Sequence, residues 1–474
     1  MIGYVSVFIV IVALAVYLLP SELEPTVWLN PPPLVDLPIT NTVLNHTIKL
    51  HEYEILAPES IAFDIVTGYG YASLGDGRVV ELNSKGDLIG EVLFIGGFIN
   101  KLSLKSDEIA NLKAYCTSEY LAGKLPWNIS DERRCGRPLG LRVATIKSLT
   151  YLYIADAYHG IFTICLTPTA PTYKQPNHIL DSSHAIQVPS GANPVSTLPI
   201  KFYNDLEVLS DGKVLFTDSS YKYTRSQNRQ ELSDGAPRGR LFEYDPHTKA
   251  LRGLICGLHF PNGVQLIPGK NNKHQDLLLV ELTRLRILRV NLSVLGTTPL
   301  LESCGEYGDL YHLLNHTTLS PPSTSSEVSA SPVSLFVTSL PGIPDNIRLN
   351  QYKPIDPADD EITDYLTVGA FSKSSKPFSF IVFLLKSTLA RQLISKLVSP
   401  QRLASLVPKC GLVFLLDLNG RLIDTWHDPK GQQVTAVSEA QRHPITGDLW
   451  IGSHSNKFLG VVPASEIPPV KYSE

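Results

Sequence analysis

Short apolar runs separated by turn residues dominate the chain from about residue 48 onward. Examples are YLYIAD, KVLFTD, DLLLVEL and DLWIGS, with Gly, Asp or Asn near most of their ends. Apolar runs of this length, bounded by turn residues, are typical of buried β-strands. The pattern therefore predicts an all-β domain over residues 48–474.

A unit of strands recurs along this domain. It contains a Pro, Asn or Gly turn, an apolar strand, one or more further strands and, in most copies, a hairpin of the D-x-x-G type. Six copies are recognisable, and they begin near residues 57, 137, 203, 261, 344 and 411. Strand repeats spaced by several tens of residues are typical of β-propellers, whose blades are four-stranded sheets. The repeat predicts a six-bladed β-propeller, with a β-sandwich or two small β domains as alternatives.

The N-terminus has a different pattern, because residues 2–20 contain no charged side chain. An apolar run of this length predicts a membrane-spanning helix. We expect residues 1–21 to be an uncleaved signal-anchor, and the alternative is a signal peptide cleaved after the ALA at 13–15. The proline-rich residues 22–47 are predicted to be a stalk. The expected location is a single-pass type II membrane protein of the endoplasmic reticulum or plasma membrane, with its propeller lumenal or extracellular.

The composition fits a folded protein of the secretory pathway. The net charge is −4 and only 18% of residues are charged, so no nucleic-acid partner is expected. Asn-x-Ser/Thr sequons in such a protein predict glycosylated surface loops. The four sequons begin at Asn45, Asn128, Asn291 and Asn315.

Six cysteines are present without a C-x-x-C pair, which argues against a zinc ribbon or a thioredoxin-type site. Cys116 and Cys135 flank a polar loop that contains a sequon, so we expect them to form a disulfide. Cys165 and Cys256 lie in strand-like surroundings, where buried free thiols are equally compatible with the pattern. The remaining two cysteines are left unassigned.

Two insertions interrupt the repeat. Residues 316–334 are rich in Ser, Thr and Pro and are predicted to be a low-complexity loop. Residues 376–398 combine an apolar run with leucines at helical spacing, which predicts a helical insertion. This insertion either packs on one face of the propeller or makes an amphipathic contact with membrane or substrate.

The familiar catalytic motifs are missing from the sequence: there is no G-x-S-x-G, H-E-x-x-H, P-loop or G-x-G-x-x-G. In IGSHS at 451–455 a serine and a histidine are adjacent, but consecutive strand residues point to opposite faces. The sequence therefore offers no local support for a serine hydrolase.

Oxygen-bearing side chains recur where the first strand of a unit begins. In a propeller the innermost strands all begin at one end of the central channel, so residues distant in sequence converge there. Two carboxylates and three carboxamides without Cys or His form a ligand set that suits Ca²⁺ and suits zinc poorly. The predicted ligands are Glu59, Asn204, Asn262, Asp345 and Asn346. Each of them also has an ordinary interpretation as a turn or loop residue.

Several of these segments resemble the strictosidine synthase-like family. They include CGRPLGLRV, LYIADAYHGIF, FYNDLEV, GLHFPNGVQL and LPGIPDNI, and the resemblance extends over roughly residues 45–462. It implies a lumenal or extracellular six-bladed propeller. The wider superfamily includes paraoxonases and gluconolactonases, which are calcium-dependent hydrolases of esters and lactones. By this resemblance the five oxygen-bearing residues are the central calcium ligands.

The chain departs from both enzyme types at positions that matter. Leu139 occupies the place where paraoxonases have a histidine base, and Glu439 is the one acidic candidate for the glutamate of strictosidine synthase. Alkaloid synthesis is therefore not expected. Weak candidates for an assisting group are Asp205, Asp156, His159 and Glu439, and for Asp156 a hairpin hydrogen bond is the favoured interpretation.

These patterns predict a membrane-anchored glycoprotein with a calcium-binding propeller. Its expected activity is arylesterase-like or lactonase-like hydrolysis, in which the metal polarises the carbonyl of a small ester or lactone. The alternative is a non-catalytic binding or adhesion module, in which calcium only connects the blades.

Overall fold

The computed structural model of the chain describes most of the domain predicted from residue 48 onward. The described residues are 14–16, 18–19, 23–25, 33–37, 41–101, 103–186, 198–268, 275–295, 332–350, 352–353, 361–374, 376, 379–399, 402 and 409–471. Together they form six four-stranded antiparallel sheets, which we call blades 1 to 6 in chain order. The prediction of an all-β domain is confirmed.

The first three blades each use four consecutive strands. Blade 1 contains Ile61–Phe63, Gly70–Ser73, Arg78–Leu82 and Leu88–Phe94. Blade 2 contains Pro138–Ile146, Leu149–Asp156, Gly160–Cys165 and Pro176–Asp181. Blade 3 contains Tyr203–Val208, Val214–Asp218, Gly239–Asp245 and Ala250–Leu258.

The next two blades follow the same order, whereas the last one is completed by the N-terminal strand. Blade 4 contains Pro261–Pro268, Gln275–Glu281, Arg286–Asn291 and Val333–Val337. Blade 5 contains Gly342–Leu349, Leu366–Lys373, Gly411–Leu416 and Leu422–Asp428. Blade 6 contains Val437–Arg442, Leu449–Ser453, Leu459–Val462 and the N-terminal strand Ile48–Leu50.

The blades form a ring, because the innermost strand of each contacts the innermost strand of the next and blade 6 contacts blade 1. Ile48 pairs with Val461, so a strand from the N-terminus completes the last blade. Apolar side chains fill the space between neighbouring blades. Between blades 3 and 4, for example, Leu215 and Leu254 pack in one cluster with Leu277. This is the architecture of a six-bladed β-propeller.

The predicted count of six units agrees with the structure, but the boundary between the last two units was wrong. The strands Gly411–Leu416 and Leu422–Asp428 belong to blade 5, not to blade 6. Blade 6 begins at Val437–Arg442. The predicted loop 316–334 also extends too far, because Val333–Val337 is a strand, and its residues 316–331 lie outside the described part of the chain.

Among the described residues, the α-helices other than Leu292–Leu295 lie in connections at the end of the ring where the innermost strands begin. Leu292–Leu295 connects the third and fourth strands of blade 4, at the opposite end. In the described residues, α-helices span Ile95–Asn100, Ser106–Leu121, Ile129–Cys135, Asn228–Asp234, Leu292–Leu295, Phe380–Lys386 and Thr388–Leu397. Short 3-10 turns span Val43–His46, Leu125–Trp127, Arg225–Gln227, Leu282–Arg284 and Ala464–Glu466. The last two α-helices lie within the insertion 376–398.

The cysteines divide into bonded and free groups. Cys116 and Cys135 form a disulfide with a Cα–Cα distance of 5.8 Å, as predicted. Cys256 is disulfide-bonded, so of the two interpretations left open for it the free thiol is wrong. Among the described residues, Cys165 and Cys410 are free.

The N-terminal predictions fall mainly outside the described residues. Of the predicted span 2–20, only residues 14–16 and 18–19 are described. Within the described part of the chain, no helix is both long enough and apolar enough to cross a membrane.

Three of the four sequons can be located. The side chains of Asn45 and Asn128 are exposed and that of Asn291 is half-buried, while Asn315 lies outside the described residues. Asn128 also begins the helix Ile129–Cys135, since its Oδ1 accepts from the backbone N–H of Ser130. Glycosylation at these positions stays a prediction.

Candidate functional site

Four of the five predicted oxygen ligands line one cavity of about 300 Å³ at the end of the ring where the innermost strands begin. They are Glu59, Asn204, Asn262 and Asp345. Asn204, Asn262 and Asp345 lie near the start of the innermost strands of blades 3, 4 and 5, and Glu59 lies two residues before that of blade 1. The ring thus brings them together from across the chain. The fifth residue, Asn346, is next to Asp345 in the same strand of blade 5, Gly342–Leu349, and its side chain is buried.

The carboxamides of this group are only partly hydrogen-bonded. The Nδ2 group of Asn262 donates to Asp345 Oδ1 over 2.5 Å, and Asn204 Nδ2 donates to Ser219 Oγ over 2.9 Å. The Oδ1 atoms of Asn262 and Asn346 are buried and accept no hydrogen bond from any described residue. Buried carbonyl oxygens are nearly always paired, so two orphans here indicate that a donor or a cation is to be expected.

The donor set fits a hard cation. Carboxylate and carboxamide oxygens are ligands that Ca²⁺ uses. The negative charges of two carboxylates would balance the charge of the cation. In the described residues no group of three or more His, Cys, Asp and Glu side chains is placed to hold a metal ion. Ligation here would therefore rest on Glu59 and Asp345 together with the three carboxamides.

The two carboxylates have opposite electrostatic surroundings. Burial disfavours the charged form of Glu59, but Arg137 Nη2 lies 2.5 Å from its Oε2 and holds its pKa below the ordinary value. Burial and the nearby charge of Glu59 raise the pKa of Asp345 well above its ordinary value. The pKa values of these two neighbouring carboxyl groups are therefore shifted in opposite directions.

A glycine allows blades 4 and 5 to approach closely beside this group. A Cβ atom at Gly263 would lie 2.6 Å from the Cα of Asn346, well inside van der Waals contact. Gly263 follows directly on Asn262, so the close approach of the two backbones occurs beside Asn262 and Asn346. The ordinary interpretation of Asn262 was a turn residue. In the structure Asn262 and Gly263 instead belong to an innermost strand, Pro261–Pro268.

Two of the weak catalytic candidates belong to a buried ion-pair network inside the ring. Arg348 Nη1 lies 2.9 Å from Asp205 Oδ2, and Arg348 Nη2 lies 2.5 Å from Glu439 Oε2. Arg142 also contacts Asp205, and Ser60 Oγ donates to Glu439 over 2.9 Å. Neither carboxylate lines the cavity. These contacts give Asp205 and Glu439 a role in joining the innermost strands.

The electrostatics of the network agree with that role. Burial opposes ionisation of Asp205, but the charges of Arg142 and Arg348 hold its pKa below the ordinary value. For Glu439 burial outweighs the attraction of Arg348 and Arg142, so its pKa is raised.

The other two weak candidates lie outside the cavity. Asp156 Oδ1 accepts from the backbone N–H groups of Tyr158 and His159, and its Oδ2 accepts from the N–H of Arg137. This is the turn role that the sequence favoured. His159 Nε2 contacts the backbone oxygen of Arg133 over 2.7 Å.

Leu139 is buried in an apolar cluster with Phe202 and Phe260, so this position supplies no base. The cavity nevertheless contains a histidine, His454, which sequence reasoning did not select. Burial lowers the pKa of His454 to about 4, with Glu59 opposing and Arg225 assisting the shift. Its imidazole is therefore neutral at neutral pH.

Large apolar side chains form much of the remaining cavity wall. They are Phe202, Leu232, Phe260, Leu282, Ile343 and Phe371. Aromatic and aliphatic walls around a few polar groups are the usual composition of a small-molecule site. The cavity thus has a polar end, formed by the oxygen group, and an apolar body.

Cationic side chains also line the cavity. Arg225 is neutralised by Glu132, with Nη1 and Oε1 2.9 Å apart. Arg229 instead stacks over the ring of Trp127 at 5.4 Å, and no ion pair to it is present among the described residues. Burial and the neighbouring Arg225 lower the pKa of Arg229 to about 10. The exposed Lys409 adds a further positive charge.

The chain is similar in sequence to several known proteins. The sequence profile of the strictosidine synthase family matches residues 204–293. The adipocyte plasma membrane-associated protein of Bos taurus is 30% identical over 441 residues, which covers 93% of this chain and 84% of that protein. A strictosidine synthase-like protein of Arabidopsis thaliana is 27% identical over 415 residues, which covers 86% of this chain and 78% of that protein.

Among solved structures, a gluconolactonase from Xanthomonas campestris matches with a TM-score of 0.43 and 12% identity, covering 94% of this chain and 99% of that chain. The bovine relative is 30% identical and matches 93% of this chain. The chain therefore belongs to the strictosidine synthase-like family, in the group of the adipocyte plasma membrane-associated proteins.

Proposed function

We propose that this protein is a membrane-anchored, calcium-binding hydrolase of small esters or lactones. The observation that carries the proposal is the oxygen group at the polar end of the cavity, with two buried carboxamide oxygens that have no partner among the described residues. Glu59, Asn204, Asn262, Asp345 and Asn346 would hold the cation. A bound Ca²⁺ would polarise the substrate carbonyl and stabilise the oxyanion that develops on it.

The protein's own groups account for binding and proton transfer. The apolar walls would hold the aryl or alkyl part of the substrate and exclude water from it. The neutral imidazole of His454 would accept a proton from the water molecule whose oxygen attacks the carbonyl carbon. The same proton would then pass to the leaving alcohol as its bond to the carbonyl carbon breaks. With a pKa of about 4, His454 is a weak base, so slow hydrolysis is expected.

Membrane attachment is the second part of the proposal. The apolar run at 2–20 supports a single-pass anchor, and the bovine, human and rat relatives are named plasma membrane-associated proteins. The sequons and the disulfide support a lumenal or extracellular domain.

A non-catalytic calcium module is the second candidate, and two observations favour it. Leu139 replaces the histidine expected of a paraoxonase, and Arg137 neutralises Glu59, which weakens the attraction of the oxygen group for a cation. In that case calcium would only connect the innermost strands, and the cavity would bind a ligand without hydrolysing it.

Hydrolysis of phenyl acetate by the full-length chain, purified in detergent, separates the two candidates. For a hydrolase, EGTA abolishes turnover, Ca²⁺ restores it, and His454→Gln lowers kcat by about 100-fold because a general base is lost. His159→Gln is the matched control, since this side chain lies outside the cavity, and it should retain activity. Turnover that persists in EGTA and in His454→Gln contradicts the hydrolase proposal. Calcium binding without any turnover supports the second candidate.

A further inference from the structure

The N-terminal segment is attached to the helix Asn228–Asp234, which contributes to the cavity wall. The backbone N–H of Glu24 donates to Asp234 Oδ1 over 2.8 Å. The Glu24 carboxylate lies 2.9 Å from Lys222 Nζ and 3.5 Å from Arg238 Nη2. The preceding residue, Leu23, is buried. The chain is therefore fixed to the domain only a few residues after the apolar run ends at residue 20.

These contacts lie close to the cavity mouth. Asp234 is the last residue of the helix Asn228–Asp234, and Asn228, Arg229 and Leu232 of the same helix line the cavity. A helix of this length spans about 10 Å, at about 1.5 Å per residue. The four residue steps from 20 to 24 reach at most about 14 Å, at about 3.5 Å per residue. The apolar run must consequently end within about 25 Å of the cavity mouth.

A second set of contacts keeps the following residues on the same end of the ring. Pro33 accepts a hydrogen bond through its backbone oxygen from Ser339 Oγ over 2.7 Å. The backbone oxygen of Val35 accepts from the N–H of Lys376 over 3.1 Å. Leu34 packs against the apolar cluster that contains the cavity residues Phe202 and Phe260. Parts of the segment predicted as a stalk thus lie on the domain.

The helical insertion on this end of the ring exposes large apolar side chains. Phe383 is 52% exposed, Leu389 53% and Leu397 65%. The insertion is joined to the cavity helix, because Arg391 Nη1 donates to the backbone oxygens of Ser233 and Asp234, each over 2.8 Å.

Basic residues accompany these apolar side chains. Lys386 and Lys396 lie on the two helices of the insertion, and Lys409 lies at the cavity. Exposed apolar residues combined with Lys or Arg are typical of helices that lie in a membrane interface. Basic side chains at such a surface are attracted to anionic headgroups.

We propose that the cavity mouth faces the bilayer into which residues 2–20 insert, with the helices Phe380–Lys386 and Thr388–Leu397 lying in its interface. The proposal rests on the membrane anchor proposed above and adds an orientation to it. The bilayer is the expected partner of this surface, because the short connection between residue 20 and Glu24 keeps the domain close to the membrane. Amphiphilic molecules dissolved in the bilayer would then be within reach of the cavity.

The orientation can be measured with single tryptophan reporters in the full-length chain. Leu389→Trp places the reporter on the insertion. Val66→Trp is the matched control, since Val66 is 84% exposed on the turn between the first two strands of blade 1, at the opposite end of the ring. Both variants are reconstituted into vesicles of phosphatidylcholine with brominated acyl chains, and the quenching in excess of the wild-type chain is recorded. Leu397→Trp serves as a second reporter in case the first variant does not fold.

For a membrane-facing cavity, the excess quenching at 389 or 397 exceeds that at 66 at least about twofold, because interfacial helices are buried by about 5–10 Å. Equal quenching at both ends of the ring, in protein that floats with the vesicles, overturns the orientation and leaves the hydrolase proposal intact. If the wild-type chain does not float with the vesicles, the anchor is wrong and the orientation fails with it. The phenyl acetate assay in detergent does not depend on either result.

Discussion

Glu231 provides a quantitative test of how the cavity helix is built into the domain. Its carboxyl group is fully buried on the helix Asn228–Asp234, where Oε2 accepts from Ser220 Oγ over 2.7 Å. The Oε1 atom is buried and has no hydrogen-bond partner among the described residues. Burial raises the pKa of Glu231 from 4.5 to about 8, against the hydrogen bond from Ser220 and the charge of Arg238.

The raised pKa makes stability depend on pH. Below pH 4.5 the group is protonated in both the folded and the unfolded chain, and it costs nothing. Between pH 4.5 and about 8 the unfolded chain loses the proton that the folded chain retains, so the free energy of unfolding falls as pH rises. At about 1.4 kcal/mol per pKa unit, the cost is about 3 kcal/mol at pH 7 and about 5 kcal/mol above pH 8.

Glu231→Gln removes this cost and keeps an acceptor for Ser220. We expect the variant to match the wild type near pH 4.5 and to be more stable by about 3 kcal/mol at pH 7. The measurement is urea unfolding of the full-length chain in detergent across this pH range. Glu54→Gln is the control, because its carboxylate is 65% exposed, and it should leave the pH dependence unchanged. A difference between Glu231→Gln and wild type that does not grow with pH would refute the reasoning.

Three further variants test the ion pairs, the disulfide and the cationic wall. Asp205→Asn leaves buried arginines without their carboxylate and should lower the urea unfolding free energy by about 3–5 kcal/mol; a loss under about 1 kcal/mol contradicts the network. Replacing Cys116 and Cys135 by Ser opens a loop with a sequence separation of 19 and should cost about 3 kcal/mol in the same assay; unchanged stability contradicts this expectation. Arg229→Ala should weaken calorimetric binding of 4-phenylbutyrate about tenfold and leave 4-phenylbutanol unaffected; equal effects on both contradict a role for its charge.

The sequence predicted the parts of the fold that depend on local pattern. The apolar runs and the turn residues beside them identify most strands from local sequence alone. Motifs such as YND and PNG mark the start of an innermost strand. For this reason the sequence alone groups the five oxygen-bearing residues, and four of them line one cavity.

Blade 6 could not be delimited in the same way. Its last strand, Ile48–Leu50, pairs with Leu459–Val462 from the other end of the chain, and no local signal specifies that partner. The strand Leu422–Asp428 resembles the strands on either side of it, so its assignment to blade 5 depends on tertiary pairing.

The side chains that complete the cavity were missed for a related reason. His454 follows the second strand of blade 6, and Arg229 lies on a helix between two strands of blade 3. The paths of such connections are determined by packing, as in the buried pair of Arg225 with Glu132. The one signal for His454 was the IGSHS segment, which strand alternation excluded as a local pair but not as a cavity residue.

Calcium binding to the full-length chain, measured by isothermal titration calorimetry in detergent, tests the oxygen site most directly. We expect one Ca²⁺ per chain with a Kd between about 10⁻⁷ and 10⁻³ M, the range of protein calcium sites built from few carboxylates. Asp345→Asn and Asn262→Leu should each weaken binding at least about tenfold, because each removes an oxygen ligand or its charge. The control variant Glu54→Gln should bind like the wild type. The absence of a binding isotherm, or one that neither site variant changes, would contradict a calcium site at the centre of the ring.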